Sequence, residues 1–95
     1  MRIGKVIGNV WATKKEEKLA GIKLLIVQPI NIADGTMEGV PIIAADIIGA
    51  GCGETVILVD GSSARRAAGG PEVPVDSTVV GIVDGNDIDS SLLEV

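Results

Sequence analysis

The sequence predicts an all-β chain, a small closed or nearly closed five-stranded β-barrel carrying one short helix. Two observations lead there. Hydrophobic residues make up 46% of the chain but aromatics only 1%, with Trp11 alone and no Phe or Tyr, so the core must come from Ile, Val, Leu and Ala, and β-branched side chains suit a pleated surface. Short apolar runs also recur along the chain, separated by turn residues and kinked by internal glycines, the pattern of a small barrel.

The elements follow in order. Arg2–Thr13 reads as a first strand in which Gly4 and Gly8 mark a tight bend or a close backbone approach. Lys14–Lys18 is a charged, solvated connection. Gly21–Ile30 is a second strand, too continuously apolar to be half solvated, with Pro29 ending its ladder because it has no N–H to donate. Asn31–Gly39 is turn chemistry around Asp34-Gly35. Val40–Ile48 is a third strand, Pro41 being tolerated at its start or on an edge.

Next comes Gly49-Ala50-Gly51-Cys52-Gly53-Glu54, with three glycines in five positions between two apolar runs. A plain hairpin needs at most two residues free to take φ > 0, so the longer run predicts a shaped loop that meets something. Glu54–Asp60 is the fourth strand, and Gly61–Ala68 the one helix, capped by Ser62 or Ser63 and stopped by Gly69-Gly70-Pro71. At two turns it must pack on the strands to persist. Glu72–Asp76 is extended, Thr78–Asp84 is the fifth strand, and Asp84–Ser91 a polar tail ending in apolar Leu92, Leu93 and Val95. The chain reads as one domain over residues 1–95, with 85–95 its tail, burying about 65% of its unfolded surface.

Charge and inventory exclude several functions. A net charge of −5 opposes a phosphate-backbone partner, and an OB-like barrel that bound oligonucleotides would need stacking aromatics over a positive groove; no nucleic-acid partner is expected. No apolar run is long enough to cross a bilayer, no signal peptide is evident, and one cysteine makes no internal disulfide, so a cytosolic address is expected. There is no histidine, which removes the commonest general base and leaves Cys52 without an activating partner. Ser62-Ser63 lack a nucleophile elbow, and Gly49-x-Gly51-x-x-Glu54 misses both dinucleotide and P-loop patterns. In calcium-loop register from Asp84, Ile88 falls on a ligand position and Asp89 where glycine is needed. No catalytic residue, metal site or cofactor is expected. Asp46, Asp60 and Asp76, near strand ends, suit turn and capping hydrogen bonds. A mean hydropathy of +0.45 is high for so shallow a domain and implies burial against another copy.

These residues resemble the bacterial microcompartment vertex proteins of ethanolamine-utilisation compartments and carboxysomes, the EutN/CcmL family. The resemblance runs nearly full length. It rests on Ile3-Gly4-Lys5-Val6-x-Gly8 with Ala12-Thr13-x-Lys15, on Leu19-x-Gly21-x-Lys23-Leu24 leading to Val27-Gln28-Pro29, and on Asp46 with Gly49-Ala50-Gly51-x-Gly53-Glu54-x-Val56. Gly61-Ser62-Ser63-Ala64-Arg65, Pro74-Val75-Asp76 and Val80-Gly81-Ile82-Val83-Asp84 complete it.

The resemblance implies a non-enzymatic pentamer that plugs the five-fold corners of a polyhedral shell tiled otherwise by hexameric proteins. In that setting Gly49–Glu54 is the candidate for the part nearest the axis, where backbones crowd. Glu54 is then an anionic ring or interface contact, or a solvated strand start. Arg65 bridges to a neighbour or covers the barrel with its stem. Asp46 and Asp76 are expected to be turn anchors, paired with Arg65 or at the interface, and Leu92 and Leu93 to dock on a neighbour. If the loop reaches the axis, Cys52 from several copies converges, which leaves a small-ligand barrel or an iron–sulfur site as the alternative function. Trp11 is expected to pack in the barrel or at an interface.

Overall fold

A computed structural model describes residues 1–93. Five strands, β1 (Arg2–Val10), β2 (Lys23–Ile30), β3 (Ile42–Asp46), β4 (Thr55–Asp60) and β5 (Ser77–Ile82), close into a barrel in the order β1-β2-β3-β5-β4, and one helix, α1 (Gly61–Ala68), lies between β4 and β5. The predicted fold class and the helix bounds hold. The strands begin later or end sooner than the apolar runs suggested, because turn residues at their ends leave the ladders.

All strand pairs are antiparallel except β3 with β5, which meet in parallel at only two positions, Ala45 with Thr78 and Asp46 with Val79. Parallel neighbours need a crossover, and here β4 and α1 supply it. Ala64 of α1 is fully buried with Ala45, Val73 and Val75 in a second apolar cluster, and the buried Thr78 hydroxyl donates to the Ala64 carbonyl at 2.8 Å. The helix thus covers the thinnest side of the barrel. Its N-terminus departs from expectation. Neither Ser62 nor Ser63 caps it; Asp60 holds the capping position and makes no side-chain cap bond, its carboxylate being committed elsewhere. The predicted stop does form, with Gly69 and Gly70 returning their N–H groups to Arg66 and Arg65 carbonyls.

The barrel is filled by Val6, Leu25, Val27, Ala44, Ala50, Val56, Leu58 and Val79. The sequence led us to expect isoleucine there too, yet no isoleucine is buried: all are half-buried or exposed. Strand alternation places Leu, Val and Ala at the inward positions and most isoleucines at outward ones or in the connections, with Ile42 and Ile82 partly buried against the core. Trp11 is likewise not barrel filling, being 87% exposed. Pro29 acts on one side only. The β1 pairing continues through Pro29 to Ile30, whereas the β3 pairing stops at Val27, on the side where Pro29 would next have had to donate. Gln28 beside it is buried and satisfied by the Pro29 and Gly39 carbonyls.

The two glycines of β1 have separate reasons. Gly8 follows a bulge between Val6 and Gly8, which bends the strand and strengthens its twist. At Gly4 an added Cβ would lie 2.4 Å from Val27 Cγ1 and 3.1 Å from the Gln28 carbonyl oxygen. Gly4→Ala is therefore expected to destabilise the barrel by roughly 1–3 kcal/mol through overpacking, read as a lower urea midpoint with an unchanged slope.

Candidate assembly loop and surfaces

The glycine loop is organised by two carboxylates. Asp46, at the end of β3, has a side chain with 0% exposure, and it accepts hydrogen bonds from three successive amides, Ile48 (2.9 Å), Gly49 (3.0 Å) and Ala50 (3.0 Å). A short acidic side chain at a strand end can meet the amides that the turn leaves unpaired. Glu54 closes the other half, taking the Gly51 N–H on Oε1 at 2.6 Å. The loop is then stitched to β1, where Gly53 donates to the Val6 carbonyl and Val6 to the Glu54 carbonyl, at 2.8 and 2.9 Å. Ala50 is pushed wholly into the core, and its carbonyl accepts from Lys23 Nζ at 3.3 Å. Lys23 Nζ also stands 3.9 Å from Asp46 Oδ2.

What remains outside is a tip bearing the exposed Cys52, flanked by Ile47 and Ile48, which are about half exposed. Two of the three glycines answer to the chain's own conformation, since Gly49 and Gly53 have φ of 94° and 89°, where a side chain is strained. Gly51 does not: its φ is not positive, and an added Cβ would meet only Glu54 Oε1 at 3.5 Å, an ordinary contact.

The remaining sequence candidates lie apart from the loop. Arg65 is half-buried on α1, and Asp46 is engaged with the loop amides and Lys23, so the two do not pair. Asp76 is exposed and anchors through its backbone, its carbonyl accepting from Gly61 N–H at 2.9 Å. Leu92 and Leu93 are exposed at a 3₁₀ turn over Ser90–Leu92 in the tail; Val95 lies outside the described residues. Among the described residues no group of three His, Cys, Asp or Glu gathers at a metal-binding spacing, and no helix is long and apolar enough to cross a membrane.

Sequence reasoning missed an ion pair. Arg2 donates through Nε and Nη2 to both oxygens of Asp60, at 2.9 and 2.8 Å, and the Ser77 hydroxyl donates to Asp60 at 2.6 Å. Fifty-eight positions separate the partners, and only the β1–β4 register, with Arg2 opposite Leu58, brings them together. The Asp60 carboxyl is held below its ordinary value of 3.8, chiefly by the Arg2 hydrogen bond, against partial burial, with help from Ser77.

Two surfaces complete the picture. An apolar groove beside the β1–β2 connection is walled by Val10, Trp11, Ile22 and Leu24 and rimmed by Lys15 and Lys23. A second groove, at the opposite end of β1, is walled by Met1, Ile3, Ile30, Ile32 and Ile57, with Arg2 and Glu38 as its charged groups. Among the described residues the core holds no aromatic side chain, and much aliphatic surface lies outside it.

Comparison with known proteins identifies the lineage. The family model described as ethanolamine utilisation protein EutN/carboxysome matches residues 1–84. The chain belongs to that family. It is 46% identical over 87 residues, 88% of this chain and 93% of the other, to the bacterial microcompartment shell vertex protein GrpN of Rhodospirillum rubrum. Its structure resembles that of the ethanolamine utilization protein EutN, with a TM-score of 0.88 at 43% identity, covering 93% of this chain and 91% of that one. It also resembles the GrpN pentameric microcompartment shell protein from Rhodospirillum rubrum, with a TM-score of 0.82 at 42% identity, covering 93% and 100%.

Two outcomes follow. Asp46→Ala strands three loop amides and is expected to cost roughly 2–4 kcal/mol in urea denaturation, with Asp46→Asn costing about half as much. A carboxyl whose folded pKa lies below its unfolded one contributes stability above the unfolded value and loses it as pH falls through the folded one. The Arg2–Asp60 contribution is therefore present at neutral pH and lost under acid; because both side chains are more than 40% exposed, it is below about 1 kcal/mol. Asp60→Asn should lower the melting temperature slightly at pH 7, the difference from the parent chain shrinking as pH falls through the folded-state value of the Asp60 carboxyl.

Proposed function

We propose that this chain is a structural, non-enzymatic shell protein whose pentamer closes the five-fold vertices of a bacterial microcompartment, beside hexameric shell proteins. The observation that carries this reading is the near-complete likeness to a pentameric shell protein, at 42% identity over 93% of the chain, joined to an aliphatic outer surface that one chain leaves uncovered. A closed ring needs a heterologous interface, in which one patch meets a different patch on the next copy, and this chain offers such patches at both ends of β1. The function is then geometric: wedge-shaped subunits close a disc whose rim sets the angle of the shell corner.

In this reading the loop tip faces the ring axis, with Gly51 as the glycine kept for the assembly, since the isolated chain gives no steric reason for it. Glu54 is occupied in fixing the loop through Gly51 rather than free as an anionic ring, and Arg65, half-buried on α1, is an interface side chain whose guanidinium suits a neighbour's carboxylate. Native mass spectrometry of the purified chain is expected to give a dominant species of five chains. Gly51→Val is expected to melt as the parent barrel does yet shift the mass toward single chains. A parent chain that stays monomeric overturns the vertex reading, and an intact Gly51→Val ring overturns the axial placement of the loop.

A further inference from the structure

We infer that the acidic C-terminal segment Asp84–Leu93 of one subunit docks in the Trp11 groove of a neighbouring copy, a proposal that rests on the ring described above. The segment stands off its own barrel. From Asp87 to Leu93 every residue is exposed, and past Asp84 the hydrogen bonds among the described residues are all internal to the segment. It is nevertheless shaped. Asp89 accepts from the Ser91 N–H and hydroxyl, which hold its carboxyl below the ordinary value and set the turn that presents Leu92 and Leu93, with Ile88 one turn before. The family model's match ends at residue 84, where this segment begins.

Charge selects the groove. Asp84, Asp87 and Asp89 carry the segment's charge, with no basic residue from Asp84 to Leu93. The Trp11 groove has Lys15 on its rim and Lys14 and Lys18 in the adjoining connection, where Glu16 and Glu17 oppose them only in part, while Lys23, also on the rim, is engaged by Asp46 and the Ala50 carbonyl. The other apolar groove offers only Arg2, already bound to Asp60, and the acidic Glu38. A leucine pair on an acidic segment therefore complements the lysine-rimmed groove and not its counterpart.

Placement makes the contact intermolecular. Asp84, Gly85 and Asn86 border one cavity with Ile3, Ile30 and Asn31, at the start of β1. Trp11 is eight residues further along that strand direction, about 26 Å at 3.3 Å per residue, and Leu92 and Leu93 do not line their own chain's groove. A segment leaving one end of the subunit for a groove at the other end of the next is also the head-to-tail arrangement that ring closure requires.

Trp11 is the chain's only aromatic, so its fluorescence reports on this groove alone. In full-length protein whose native mass is five chains, Trp11 emission is expected to be blue-shifted and shielded from acrylamide. The Leu92→Asp/Leu93→Asp variant should keep the mass of five, with emission shifted red and quenching raised several-fold. In a second variant, Lys15→Cys/Leu92→Cys in a Cys52→Ser background, mild oxidation should give a denaturing-gel ladder of cross-linked chains. A five-chain ring in which Trp11 is quenched as freely as in unfolded chain, or is equally shielded in the Leu92→Asp/Leu93→Asp variant, overturns the docking while leaving the ring intact. Cross-linked single chains without a ladder overturn its intermolecular character. A parent mass of one chain defeats the ring itself, and the docking with it.

Discussion

Asp46 stands at the junction on which the rest of the molecule depends. Its backbone pairs with Lys23 of β2 on one side and Val79 of β5 on the other, at the end of the two-position parallel contact that completes the barrel. Its buried carboxylate gathers the amides that leave β3, which turns the chain back so that Ala50 enters the core and Gly53 and Glu54 meet β1. Barrel closure, loop shape and the placement of the exposed tip thus share one side chain. A buried carboxylate is tolerable only when its oxygens are fully engaged, and here three amides and the nearby Lys23 ammonium engage them.

Strand alternation explains the character of the surface. The inward positions hold Val, Leu and Ala, and most of the isoleucines that contribute to the chain's high hydropathy lie outward or in the connections. In an isolated monomer such surface invites non-specific association. In a closed ring it becomes interface. Each well-placed carboxylate is consumed by structure: Asp46 and Glu54 by the loop, Asp60 by Arg2 and Ser77, Asp89 by the tail turn.

The sequence by itself determined the barrel, its five strands and the helix from Gly61 to Ala68, because period, β-branched composition and glycine punctuation act locally and survive without knowledge of partners. It also marked Gly49–Glu54 as a built loop and Asp46 as a turn anchor, since a short acid just before a glycine run has amides within reach whatever the fold. Tertiary structure decided the rest. The capping position fell to Asp60 rather than Ser62 or Ser63, and its carboxylate went to Arg2 and Ser77 instead of the helix amides, a neighbourhood set by strand register. Trp11 stood outside the barrel because β1 ends at Val10, one residue before it. Which glycines the chain itself requires, Gly49 and Gly53 by backbone angle and Gly4 by close approach, depended on coordinates that no sequence spacing encodes. The pairing of Arg2 with Asp60, fifty-eight positions apart, needed the closed sheet, because long-range contacts arise from topology and not from local preference.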